Sequence, residues 1–173
     1  TEAARSPVLE QLAGTCVEPS AEQLVSTDET TTAPVTRDVT NVTRLKNQFG
    51  DRIKILCGVD TLALEELCLG ADGWVAGLVD AFPRETVAIY RLAKAGKIKE
   101  ATEIYRWFMP LLELDIHPKL VQYIKLAAAE AGIGSENVRA PRLTLVGEER
   151  ERVLAIIRKG ISKRPALPDY MNL

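Results

Sequence analysis

The chain has 173 residues, is 46% hydrophobic and carries a formal charge of −2. It can bury one core, and nothing in its charge points to nucleic acid or a membrane surface as a partner. No stretch approaches the roughly 18 consecutive apolar residues of a membrane span.

The opening residues, TEAARSPVLEQLAG, have no basic start followed by an apolar run, so no export signal is expected. A short helix is expected over 1–14, with Val8, Leu9 and Leu12 on its apolar face and Gly14 as its stop. Residues 15–37 are rich in Thr, Ser and Pro and read mostly as loop, with a single strand candidate at 23–27. Asp38 reads as the N-cap of a helix in which Val39, Val42, Leu45 and Phe49 recur every three or four residues and Gly50 ends the run. Ile53 to Cys57 reads as a short buried strand. Thr61 to Leu69 reads as a helix offering Leu62, Leu64, Leu67 and Leu69 to the core, and Trp74 to Val79 as a second buried strand.

Pro83 suits the first position of a helix that runs to about Ala95, with Gly96 as its break. Two longer helices are expected near 98–114 and 119–131, and a last one over about 147–159, stopped by Gly160. Few, continuous, apolar strands among many helices predict an α/β fold, with parallel strands covered by helices. The expected organisation is an irregular segment over 1–37, βα units over 38–97 and a helical region over 98–173.

Strand 53–57, helix 61–69, strand 74–79 and helix 84–95 make a β-α-β-α unit. Its motifs are Cys57-Gly58-Val59-Asp60 at the end of the first strand and Leu69-Gly70-Ala71-Asp72-Gly73 before the second. With Thr36-Arg37-Asp38-Val39-Thr40 upstream, they resemble the dihydrodipicolinate synthase and N-acetylneuraminate lyase family over about residues 36–165. These are (β/α)₈ TIM-barrel lyases that bind 2-oxo acids through a lysine imine. The resemblance implies that this chain supplies the last two or three βα units of a barrel, followed by a helical segment. Trp-Val-Ala-Gly-Leu-Val in the eighth strand is most similar to members acting on hydroxyproline-derived pyrroline carboxylates or similar 2-oxo-acid compounds.

In barrels the chemistry sits at the C-terminal ends of the strands. The candidate substrate-binding residues are therefore Gly58, Val59, Asp60, Val75, Ala76 and Gly77. Gly58 lets backbone approach a ligand, and the small groups at 75–77 would floor a pocket. Asp60 has two readings, as a helix cap or as an acceptor for a substrate hydroxyl. Val75, Ala76 and Gly77 have a plain packing alternative.

Two departures stand against activity. The resemblance places the family's imine lysine at Ala33, or near Asp28 if 23–27 is the sixth strand, and neither is lysine. A Schiff base needs an amine at one defined point. Lys46, Lys54, Lys94, Lys97 and Lys99 read as solvated charges. Tyr90, Tyr105, Tyr123 and Tyr170 match no family tyrosine. The second departure is length, since a full barrel takes about 250 residues. The alternatives of a barrel fragment and a non-catalytic remnant acting through association stay open. Open strand edges make a homo-oligomer, or packing against further barrel elements, the expectation.

Cys16, Cys57 and Cys68 are three cysteines without CxxC spacing, which disfavours disulfides and zinc and suits a reducing cytoplasm. Cys57 and Cys68 are expected to pack as small hydrophobes. His117, the one histidine, reads as structural. The charges of 148–158 read as a solvated helix face. Tyr105, Trp107, Phe108 and Met109 read as a core or subunit contact. No Walker loop, GxSxG or HExxH motif occurs, and no metal or cofactor is expected.

Overall fold

In the computed structural model the residues described are 31–34, as a strand, and 37–173. The helix expected over 1–14, the strand at 23–27, Cys16 and Asp28 lie outside them. Strand β1 (Thr31–Pro34) falls inside the stretch read as loop. Its β-branched threonines suit extended backbone, and its edge position in the sheet order β1-β2-β3 tolerates Pro34.

Helix α1 (Thr40–Phe49) follows. Asp38 sits two residues before it and accepts the Thr40 N–H at 3.0 Å. Val42 is buried, Leu45 and Phe49 pack against the core, and Gly50 closes the helix at φ 60°. Strand β2 (Ile53–Cys57) buries Ile53, Ile55 and Cys57 under the helices, whereas Lys54 on the other face is exposed.

Asp60–Leu62 forms a 3₁₀ turn that leads into α2 (Ala63–Cys68). The expected apolar face is rotated. Ala63, Leu64 and Leu67 are buried together with Glu66, whereas Leu69 and Cys68 are exposed. At 3.6 residues per turn Glu66 falls on the same stripe as Ala63, and Cys68 on the opposite face.

Strand β3 is only Gly73–Trp74, parallel to β2 with Leu56 opposite Gly73 and Cys57 opposite Trp74. The strand expected over 74–79 stops there. The Val75 N–H still bonds the Cys57 carbonyl at 2.9 Å, but Leu78–Asp80 is a 3₁₀ turn and Val75 is 65% exposed. The Asp60 carboxylate takes the N–H groups of Gly77 and Leu78 and bends the chain out of the sheet.

Four longer helices complete the chain: α3 (Pro83–Lys94), α4 (Ile98–Leu112), α5 (Leu120–Glu130) and α6 (Gly147–Ser162). Phe82, Trp107 and Phe108 form the aromatic centre, with Phe82 edge-on to both others. Helix α6 runs through Gly160 instead of ending there. A Cβ at Gly160 would stand 2.6 Å from Leu111 Cδ1, and its carbonyl accepts the Trp107 indole N–H at 3.0 Å. That glycine serves close helix packing. The helices of 98–173 join β2, β3 and α1–α3 in a single compact unit, Thr32–Leu173.

Charges tie the elements together. Asp72 accepts from the Ile55 N–H at 3.0 Å and pairs with Lys46 at 3.1 Å and Lys54 at 3.2 Å. Lys46 is thus a half-buried strut and not a solvated charge. The charged face of α6 is likewise bridged, Arg158 to Glu130 at 2.8 Å and Arg150 to Glu136 at 3.2 Å. Arg164 caps the core by pairing with the buried Glu85 and lying over the Phe82 ring. No helix among the described residues is long and apolar enough to cross a membrane.

Candidate functional site

The ends of β2 and β3 are held by one carboxylate. Asp60 is fully buried, and its Oδ1 accepts the Trp74 indole N–H at 3.0 Å and the Gly77 N–H at 3.2 Å. Its Oδ2 accepts the Leu78 N–H at 2.9 Å, and the Tyr105 hydroxyl donates to its carbonyl at 2.9 Å. Burial pushes the Asp60 carboxyl above the ordinary range against the pull of those donors. The expectation of a helix cap is corrected, because neither the 3₁₀ turn nor α2 receives a side-chain cap bond. Asp60 joins the two strand ends from behind.

In front of this joint lies a groove of about 530 Å³. Gly58 and Val59 line it from the end of β2, and Val75, Ala76 and Gly77 from the end of β3. Five of the six candidate residues therefore share one wall, and Asp60 stands outside it. Asp115 and His117, from the turn between α4 and α5, form the opposite side together with apolar Ile116 and Leu120, and Arg37 completes it.

Asp115 was not singled out by the sequence, because its sole signal is charge in a turn, which most surface turns share. Arg37 stood in the Thr36–Thr40 motif but was not among the candidate site residues. Asp115 is half-buried, and its carboxyl is pushed up to about 6 by burial and by the neighbouring charge of Asp60. A Cβ on Gly77 would overlap the Asp115 carboxylate, so this glycine leaves room for Asp115 more than for a ligand.

His117 is held away from base chemistry. Its Nδ1 accepts the Lys119 N–H at 3.1 Å, which leaves the ring proton on Nε2. Nε2 lies 3.5 Å from the Tyr123 hydroxyl, which donates to Glu149 at 2.9 Å, and Lys119 Nζ pairs with the other Glu149 oxygen at 2.6 Å. The imidazole also stacks on Tyr123, with centroids 4.6 Å apart. Both ring nitrogens are engaged, and His117 contributes a wall.

Among the described residues no cluster of His, Cys, Asp and Glu could hold a metal ion. Cys57 is buried, its Sγ 3.7 Å from the Ala63 carbonyl, and burial pushes its thiol up. It presents no reactive thiolate.

The model of the dihydrodipicolinate synthetase family matches residues 20–160. The chain belongs to that family. It is 33% identical over 119 residues to the 4-hydroxy-tetrahydrodipicolinate synthase of Thermomicrobium roseum, a match covering 67% of this chain and 38% of that protein. The structure of dihydrodipicolinate synthase from Aquifex aeolicus superposes with a TM-score of 0.67 at 22% identity, over 87% of this chain and 48% of that one. The chloride-inhibited dihydrodipicolinate synthase of Acinetobacter baumannii, complexed with pyruvate, superposes with a TM-score of 0.62 at 21% identity, covering 71% of this chain and 42% of that one. As a family member this chain is helix-rich with a small sheet, and its matches cover between 38% and 48% of the length of these relatives.

Proposed function

We propose that this chain forms the C-terminal part of a barrel lyase site and binds a small 2-oxo acid in the groove between Gly58-Val59 and Val75-Ala76-Gly77. The observation that carries the reading is the convergence of these two segments, from the C-terminal ends of two parallel strands, on one groove. That is where barrel enzymes place their chemistry. Pyruvate in the Acinetobacter baumannii relative is a ligand of the same class. Asp60 acts as a positioning residue that keeps the two segments in register.

The chain as it stands does not carry the lyase or deaminase reaction. Imine formation needs a positioned amine, and the resemblance puts the family's lysine position at Ala33, or near Asp28, neither of which is lysine. Lys46 and Lys54 are committed to Asp72. Borohydride reduction with pyruvate, read by intact mass, tests this half of the reading. The expected result is no adduct, and a stable pyruvyl-lysine adduct overturns it. Pyruvate titration followed by amide NMR tests the other half, with shifts expected at Gly58 and Ala76. No shift at either overturns the groove as the ligand site.

A second reading concerns association. Val75 is 65% exposed beside β3, and Lys54 is exposed on the sheet face opposite the helices. Open strand edges and a bare sheet face favour self-association or a covering by further barrel strands. Light scattering on the chain should report a dimer or larger, and a monodisperse monomer removes self-association.

A further inference from the structure

Gly77 is held between two carboxylates that belong to different parts of the chain. Asp60, after β2, accepts its N–H at 3.2 Å, and Asp115, in the turn Glu113–Ile116, rests where a Cβ of Gly77 would stand. The two groups are unequal. Asp60 is fully buried but takes three N–H donors, and these hold its charge. Asp115 is half-buried and receives no hydrogen bond among the described residues. Asp60 repels it, while Arg37 and His117, which line the same groove, make no ion pair with it. Lys119 is paired with Glu149, and Glu113 in the same turn is exposed. Of two close carboxyls, the one without donors takes the proton first.

Leu114 is buried just before Asp115, and His117 just after it is stacked on Tyr123. Asp115 and the exposed Ile116 lie between these two anchors, so a movement of the turn is confined to them. We propose that Asp115 is a proton-operated latch: in its neutral form it seats the turn between α4 and α5 on the end of β3 at Gly77, and in its charged form it swings out to water and widens the groove. In the seated position, lost hydration and repulsion from Asp60 both oppose the charged form, and both are relieved once the side chain is in solvent. The seated contact is fully stable below the open-state value near 4 and is lost as pH rises through about 6. The inference stands without any assumption about what the groove binds.

The test is NMR on the unmodified chain from about pH 4.5 to 7.5. The Asp115 carboxyl carbon should titrate with a midpoint near 6, with Asp60 already charged below it. Amide exchange at Ile116 and His117, corrected for the intrinsic pH dependence of exchange, should lose at least about tenfold in protection over that range. Values near 4 and about 6 allow a change of up to about 100-fold. Asp115→Asn should keep the acid-side protection at every pH, because the amide has the same shape and never ionises. Amides of α2 serve as the control, since the buried Glu66 also weakens the fold as pH rises. A midpoint near 4, or protection independent of pH, overturns the inference. So does a loss of protection that α2 shares and that Asp115→Asn retains, which would assign the effect to Glu66. If Asp115→Asn does not fold, the midpoint and the comparison with α2 in the unmodified chain decide.

Discussion

The Asp115 carboxylate rests against the Cα of Gly77, so the turn between α4 and α5 and the end of β3 meet at a point where no Cβ fits. Gly77→Val should therefore displace Asp115 before it fills any pocket. Its φ of −78° is open to any residue, so the cost is steric. Overpacking of this kind costs about 1–3 kcal/mol. Urea unfolding should show that loss, and Asp115→Gly in the same chain should recover most of it. Equal losses in the single and double variants would place the clash elsewhere.

Asp60 satisfies three N–H groups from full burial, so its removal is more than the loss of a cap. Asp60→Ala leaves the Gly77 and Leu78 amides and the Trp74 indole without their acceptor. The expected cost is about 3 kcal/mol, well above the roughly 1 kcal/mol of a helix cap. Asp60→Asn keeps one acceptor oxygen and should cost less. Denaturant midpoints, with Trp74 fluorescence as a local probe, measure both.

Glu66 is buried on α2, and among the described residues its carboxyl oxygens make no hydrogen bond of ordinary geometry, the Cys57 thiol being the one group near enough to favour their charge. Burial pushes its carboxyl upward, and the charge of Glu65 adds to it. A folded pKa above the unfolded one gives stability that is full below the unfolded value and is lost as pH rises through the folded value. Glu66→Leu should raise stability at pH 7 by about 1–3 kcal/mol, because an unpaired polar group leaves the core. It should also flatten the fall in stability above about pH 4.5. A destabilised Glu66→Leu chain at neutral pH would mean that the carboxyl has a partner.

Asp72 has the opposite sign. The Ile55 N–H, Lys46 and Lys54 outweigh burial and hold its carboxyl at about 2. Its contribution is present above the unfolded value near 4 and is lost as pH falls toward 2. Asp72→Asn should cost on the order of 2 kcal/mol at pH 7 and little at pH 2. Thermal melts across that range measure the difference, and high salt should weaken it little, because the side chain is only 22% exposed.

The helices after residue 37, the family and the strand Ile53–Cys57 were legible in the sequence alone. The spacing of Val42, Leu45 and Phe49, the start at Pro83 and the Gly58-Val59-Asp60 and Gly73 motifs are local signals, set by periodicity and turn chemistry within a few residues. Tertiary structure alone decided how those pieces were used. Residues 74–79 form a continuous apolar run that reads as a buried strand, but Asp60, 17 and 18 residues away from Gly77 and Leu78, takes the amides that a longer ladder would have used. Gly160 looks like a helix stop, but Leu111 presses on it and the helix continues. Asp115 carries no motif. It lines the groove because the turn after α4 folds across the ends of β2 and β3, a contact between segments far apart in the chain.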